Sequence, residues 1–471
     1  MARTHIEQYL YLADLTHESA LIAWGGFHFR QHDDEPGWEL VDDERLQARE
    51  ETIGERSEPY GDARVCVYDE RGRVVSEART SARNHVLVSG LEPGRRYRYA
   101  VFVDGEEWAA GERNDWIFDP SSGHEHLCRS GRRYDNTFQT FPDPKASADL
   151  SFVLIGDYGV GIRGHSDSAR RQREVAAALE RAVHQHDVRF LVTAGDNIYL
   201  PKQASAEGLP KQESDQGSGD EDDDWFFTFY QPYRYIINRI PVYPTVGNHD
   251  SDETEQSDDR EQLEDNFFLR TRFSHPEGKR SSEGPGLYYR FKFGRDIELV
   301  SIDTSQASSE DRDYYFELPA HREFLEETFS PRSRRHTDAR WVIPFAHHPP
   351  YCAGPRHGNN EAMIRDLVPL FRAAGVRAMF AGHEHNFQYA LHDDIHYFVS
   401  GAAAKLRPEP PTRFEAAHTQ AWAAEQHFLL VRIRGDEMRV TPIARSRGDE
   451  LIMLRPTSVR GEVALPIVIR R

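Results

Sequence analysis

The chain has 471 residues, with 58 Lys and Arg against 78 Asp and Glu, giving a formal net charge of −20. That length allows two or more domains with sizeable cores, and 38% hydrophobic with 11% aromatic residues excludes a largely disordered polymer. The acidic balance argues against a nucleic-acid partner, which needs a basic face, and no apolar run approaches the roughly 20 residues of a membrane helix. Cys66, Cys128 and Cys352 are too few for a disulfide framework. The opening MARTHIEQYLYLADLTHE lacks the basic-then-apolar pattern of an export signal, so a cytoplasmic location is expected. The 23 histidines stand out.

The first 145 residues read as β-rich. YLYLADL (9–15) and ALIAWGGF (20–27) are short apolar runs, and RVCVYDERGRVVSE has a hairpin's shape around Gly72. In HVLVSGLEPGRRYRYAVFVDGEEW, Tyr97, Tyr99, Val101 and Val103 alternate up to the Asp104-Gly105 turn signal. This spacing predicts a β-sandwich over 1–145. The G-L-x-P-G-x-x-Y-x-Y stretch resembles the corner of fibronectin type III domains, with Trp24 a core candidate. PDPKASAD (142–149) has linker composition.

From residue 146 the texture changes to alternating strands and helices. SFVLIG (151–156), a Ser166-Asp167-Ser168 cap, a helix with Val175, Leu179, Ala182 and Val183 on one face, and RFLVTAG (189–195) make a βαβ pattern, hence a parallel sheet. Further strands are predicted at 242–247, 297–303, 341–346, 377–382, 395–401 and 427–433, and helices near 225–238, 319–329 and 361–373. The fold class is α/β.

Chemistry collects immediately after the strands. Asp157 follows the first, and Asp196 with Tyr199 the second. Asn248-His249-Asp250, His347-His348 and His383-Glu384-His385 follow three more. Open α/β folds gather ligands at the carboxyl ends of strands, and these side chains are metal-binding types. A second GHEH at Gly123–His126, near Cys128, follows loop-like residues, so a zinc reading there is weak. Gly159-x-Gly161-x-x-Gly164 is a dinucleotide-type fingerprint, but Asp157 and Tyr158 separate it from the strand and it leaves the other motifs unexplained. A metal-free binding scaffold is a further alternative. No G-x-S-x-G or Walker-type loop occurs.

In order, GDYG (156–159), GDNIY (195–199), GNHD (247–250), HHP (347–349) and GHEHNFQY (382–389) resemble the purple acid phosphatases of the calcineurin-like metallophosphoesterase superfamily. One departure is that the expected Val-x-x-His reads Pro344-Phe-Ala-His347. The resemblance implies a four-layer α/β/β/α domain over 146–471 that hydrolyses small phosphate monoesters by hydroxide attack on phosphorus. A phosphodiesterase or nucleotide pyrophosphohydrolase of the same superfamily is the alternative. It implies Asp157, Asp196, Tyr199 and His385 as ligands of one metal, and Asp196, Asn248, His347 and His383 as ligands of a second. His249 and His357 would serve substrate, with Asp250 orienting His249. A phenol deprotonates near neutrality only on a strongly acidic ion, so Tyr199 points to Fe(III), beside a divalent Fe, Zn or Mn. Segments 213–224 and 251–265 carry −14 of the net charge. They read as solvated loops on the expected rim, where they would repel polyanions.

Overall fold

The computed structural model describes residues 3–31, 37–41, 60–119, 121–199, 225–251, 259–272, 287–306, 314–333 and 336–471. Segment 213–224 and residues 252–258 lie outside the described residues.

The N-terminal strands form two antiparallel sheets. One is built on the long pair Arg3–Leu15 and Ser19–Gln31, the other on Ala63–Tyr68, Val74–Thr80 and Arg96–Val103. Asp104 and Gly105 both take positive φ, 51° and 89°, as a tight hairpin turn of this hand requires. Tyr97 accepts a 2.9 Å hydrogen bond from the Glu92 amide, tying the Leu-x-Pro-Gly corner to its strand. Trp24 is buried in the core with Val65, Tyr99 and Val101.

Two further sheets follow. A seven-stranded sheet runs Val242–Tyr243, Leu191–Thr193, Leu150–Ile155, Phe428–Arg434, Glu437–Arg447 and Glu450–Met453, with Ile467–Arg470 beside the fifth. Its first three strands are parallel. In the eight-stranded sheet Ile297–Ile302, Trp341–Ala346, Ala378–Ala381 and Ile395–Ser400 are parallel neighbours. Phenylalanines fill the space between the sheets, Phe152 meeting Phe380 edge-on at 6.1 Å. Helix Asp167–Gln185 covers the first sheet with Val175, Leu179, Ala182 and Val183 buried, its N-terminus capped by Ser166. Helices Pro319–Phe329, Glu361–Asp366 and Val368–Ala373 cover the second, so the layers run α/β/β/α.

Two predicted elements meet a proline. The 242–247 run is a strand only over Val242–Tyr243, although beyond Pro244 the Thr245 amide still donates to the Thr193 carbonyl at 3.1 Å. The 361–373 helix divides at Leu367, ahead of Pro369 in the first turn of the second piece. Part of the acidic 251–265 stretch is helix Asp259–Asn266, with Leu263, Glu264 and Asp265 buried, so these residues are not a solvated loop.

The sandwich and the α/β/β/α layers share one hydrophobic cluster. Its seam is an aromatic helix, a π-turn over Phe226–Tyr230 continuing as Gln231–Ile237. Tyr230 lies 4.6 Å from Tyr9 and Phe226 lies 4.9 Å from Phe27, centroid to centroid. The Gln231 amide pairs with both backbone groups of Trp116, at 3.1 and 3.0 Å. Tyr99 donates a 2.8 Å hydrogen bond to the Asn238 carbonyl.

One buried ring sets a pH response. His321 is buried and stacked on Tyr288 at 3.9 Å, and burial pushes its pKa down to about 3. Unfolding lets it bind a proton near its ordinary pKa, so stability is lost as pH falls from ~6.5 towards 3. At pH 5 the loss is about 2 kcal/mol. His321→Phe keeps the ring but not the base, and should remove about 2 kcal/mol from the stability the metal-free protein loses between pH 7 and 5, read by urea titration.

Candidate metal centre

Five strand ends converge at one edge of the paired sheets. Three of the converging residues, Asp157, Asp196 and His383, have left-handed backbones, with φ of 55°, 51° and 70°. Each turns the chain sharply out of its strand, and Asp tolerates this region better than most residues. The motif glycines permit the loops to nest. A Cβ on Gly247 would sit 2.1 Å from Asp196 Oδ1, and one on Gly382 would sit 2.5 Å from Asp157 Oδ2. A Cβ on Gly159 would lie 2.3 Å from the Asn197 carbonyl carbon. Gly159 therefore packs loop on loop, whereas Gly161 and Gly164 take left-handed backbones, at φ 83° and 84°.

The side chains assemble as two donor clusters. In the first, Tyr199 Oη lies 2.8 Å from Asp196 Oδ2 and 3.2 Å from Asp157 Oδ1, and His385 Nε2 lies 3.3 Å from Asp157 Oδ1. In the second, Asn248 Oδ1 is 2.9 Å from His347 Nε2 and 3.0 Å from His383 Nδ1, and the two nitrogens are 3.1 Å apart. Asp196 belongs to both, because its other oxygen, Oδ1, is 3.4 Å from His347 Nε2.

These donors fit metal ions. His347 Nδ1 lies 2.8 Å from the Ala194 carbonyl and donates its proton there, leaving Nε2 as a lone pair aimed at the cluster. Two donors at right angles on one ion, each about 2.1 Å from it, stand about 3 Å apart, which is the spacing of the second cluster. Burial, then the Asp196 charge, holds Asp157 well above the usual carboxylate range. Burial, then the two carboxylates, raises the Tyr199 phenol. Burial, then His348 for His383 and Arg407 for His385, pushes these imidazoles well down. Asp196 stays anionic despite burial, through His347 and His249. A bound cation favours the anionic or lone-pair form of every one of these groups.

The remaining predicted residues are distributed as follows. The His249 ring packs on Tyr199 at 4.5 Å, and its backbone N–H donates to Asp196 Oδ1 at 3.0 Å. His357 is brought in by the loop after His347, its ring 3.8 Å from His383. Burial, then Arg407 and Arg356, pushes it down to about 4. Asp250 is corrected. It does not orient the His249 ring. Its Oδ1 accepts from the Asn197 and Ile198 amides at 2.8 and 3.2 Å, and its Oδ2 from the Gly247 amide and the Asn197 side chain, both at 2.8 Å. It clamps two motif loops together.

His348, noted beside His347 without a role of its own, lies 4.3 Å from His383, with Nδ1 3.1 Å from Thr304 Oγ1. Sequence reasoning missed Lys405 and Arg407. Lys405 Nζ stands 4.7 Å over the Tyr199 ring, and Arg407 pairs with buried Glu384. The signal for these two was available, because AAAKLR (402–407) follows the predicted strand 395–401. Among the described residues, the only clusters of metal-ligating side chains are in this centre. The second GHEH lies on strand His124–Arg129, where His126 Nε2 is 3.3 Å from Asp119 Oδ2.

Residues 150–387 match the family described as calcineurin-like phosphoesterase, and the chain belongs to that family. It is a phosphoesterase, a purple acid phosphatase-like member. Tartrate-resistant acid phosphatase type 5 of Oryctolagus cuniculus is 24% identical over 312 residues, covering 63% of this chain and 87% of that protein. Purple acid phosphatase 4 of Arabidopsis thaliana is 28% identical over 286 residues, covering 57% of this chain and 72% of that protein. Among solved structures, PhoD has a TM-score of 0.58 at 12% identity, covering 97% of this chain and 92% of that one. The purple acid phosphatase PPD1 of Lupinus luteus has a TM-score of 0.57 at 14% identity, covering 97% and 75%. Both share the fold.

Proposed function

We propose that the chain is a dinuclear phosphomonoesterase, acting on small phosphorylated substrates. The carrying observation is Asp196, whose two oxygens face separate donor clusters, so that one carboxylate would serve both ions. In this reading Asp157, Asp196, Tyr199 and His385 would hold Fe(III), and Asp196, Asn248, His347 and His383 would hold divalent Fe, Zn or Mn. The proposal divides the chain at 145/146, between strands Thr137–Gln139 and Leu150–Ile155.

A bound metal pair supplies Lewis-acid polarisation of the phosphoryl group and lowers the pKa of water. The protein supplies the rest. Burial holds His383 as a neutral lone-pair donor, and the Ala194 carbonyl turns His347 so that Nε2 faces the cluster. His249 and His357 flank the clusters at opposite sides, His249 over Tyr199 and His357 over His383. An arriving phosphate dianion raises the pKa of nearby imidazoles. His357, neutral in the free site, then takes up a proton, donates a hydrogen bond to the phosphoryl oxygens and can pass that proton to the departing alkoxide.

Tyr199→Phe tests the assignment. The iron-loaded protein should show a visible tyrosinate-to-Fe(III) absorption that the variant lacks, and should turn over p-nitrophenyl phosphate in preference to its bis-ester. An iron-replete wild type without that absorption would refute the reading.

A further inference from the structure

The N-terminal sandwich reaches the metal centre through one charged side chain. Glu125, the acid of the second GHEH, is fully buried on strand His124–Arg129. Its Oε1 lies 2.6 Å from the guanidinium of Arg163, which belongs to the Gly159–Gly164 loop of the catalytic layers. The guanidinium also sits 5.5 Å from the Phe118 ring of the sandwich and 5.3 Å from the Phe227 ring of the seam helix.

That loop is the immediate support of Tyr199. The Tyr199 amide donates to the Gly159 carbonyl at 2.7 Å, and the Gly159 amide donates to the Asp196 carbonyl at 3.2 Å. Val160, Tyr199 and Ala404 form a small apolar cluster of their own. From the opposite side, Arg173 of helix Asp167–Gln185 holds the carbonyls of Ile162 and Gly164.

A buried carboxylate with a single charged partner strongly disfavours any excursion of that partner, because separation leaves an uncompensated charge in the interior. Arg163 is therefore pinned, and with it the loop that carries Gly159 and Val160. We infer that Glu125 is a positioning residue, through which the sandwich holds Tyr199 in the metal centre by way of Arg163 and the 159–164 loop.

The inference rests on the proposed function only for the ligand role of Tyr199, and its first test needs no metal. Hydrogen–deuterium exchange of the metal-free protein should show Glu125→Gln and Arg163→Met each speeding exchange about tenfold at 157–164 and 196–199. Glu7→Gln is the comparison. Glu7 is also a buried carboxylate of this sheet, but its partners are His5, Arg113, Asn114 and Trp116, none of them in the loop. That variant should leave exchange at 157–164 and 196–199 unchanged. In the iron-loaded protein, Glu125→Gln should also displace the tyrosinate absorption maximum and lower kcat with little change in KM. Should Glu125→Gln fail to fold, Arg163→Met carries the same test, since methionine keeps contact with Phe118 and Phe227. Unchanged exchange in both loop variants, or equal acceleration by Glu7→Gln, overturns the inference. If exchange responds but no tyrosinate absorption exists in the wild type, the bracing holds and the iron assignment fails.

Discussion

Asp196→Asn should lower kcat/KM for a phosphate monoester at least about 10⁴-fold, a loss of more than about 5 kcal/mol of transition-state stabilisation. At pH 8 with chelator present, it should leave the melting temperature no lower than that of the wild type. The two halves of the expectation have separate causes. Asp196 is the single carboxylate facing both donor clusters, so an amide there removes a negative donor from each at once. Removing that charge also relieves a repulsion within the fold. Asp157 and Asp196 are buried together and repel, and burial with that repulsion already drives Asp157 towards its protonated form. Asparagine accepts the left-handed backbone at φ 51° and still accepts the His249 amide hydrogen bond. Steady-state kinetics and a chelated melting curve check both halves. Turnover within tenfold of wild type would reject the site.

Asp250→Asn reverses the balance, with a large loss of stability and a loss of activity that follows from it. Both carboxylate oxygens of Asp250 receive two N–H donors each, and none is exposed to water. An amide can accept on one side only. Its NH₂ would confront either the Asn197 and Ile198 amides or the Gly247 amide and the Asn197 side chain. Unpaired buried donors of this kind cost about 1–3 kcal/mol each, so unfolding free energy should fall by about 2–5 kcal/mol. The loops carrying Asp196 and Asn248 would then separate, and kcat should fall about 100-fold with the metal less firmly held. Urea titration and metal retention under chelator measure the two effects. A variant as stable as wild type would show that the clamp is not needed.

These two aspartates mark how far the sequence could be read. Asp157, Asp196, Tyr199, Asn248, His347, His383 and His385 were legible because each follows a strand-like run, and a parallel sheet brings its strand ends together. Lys405 and Arg407 obey the same logic but sit in a segment without a metal-binding motif, so their place over Tyr199 and beside Glu384 was not seen. Asp250 was located but misread, since adjacency to His249 suggested a side-chain partnership. In the 3₁₀ turn Asn248–Asp250 the neighbouring side chains diverge, and Asp250 turns inwards to amide groups 52 and 53 residues away in sequence. The strands and helices followed from periodicity, whereas the four-layer stacking came with the family resemblance. The places where periodicity failed, Tyr243 and Leu367, each lie one or two residues before a proline. The seam helix was predicted as a helix, but its role in fusing sandwich and catalytic layers depends on rings that local pattern does not pair.

The left-handed backbones at Asp157 and Asp196 bear on how such a chain can change over generations. Most side chains at these positions would strain the turn, whereas asparagine fits it almost as well as aspartate. Aspartate and asparagine codons differ by a single base. A drifting copy of this gene can therefore lose its chemistry in one step without losing its shape. Descendants of such a step would fold, persist and be free to take up binding roles on an intact scaffold.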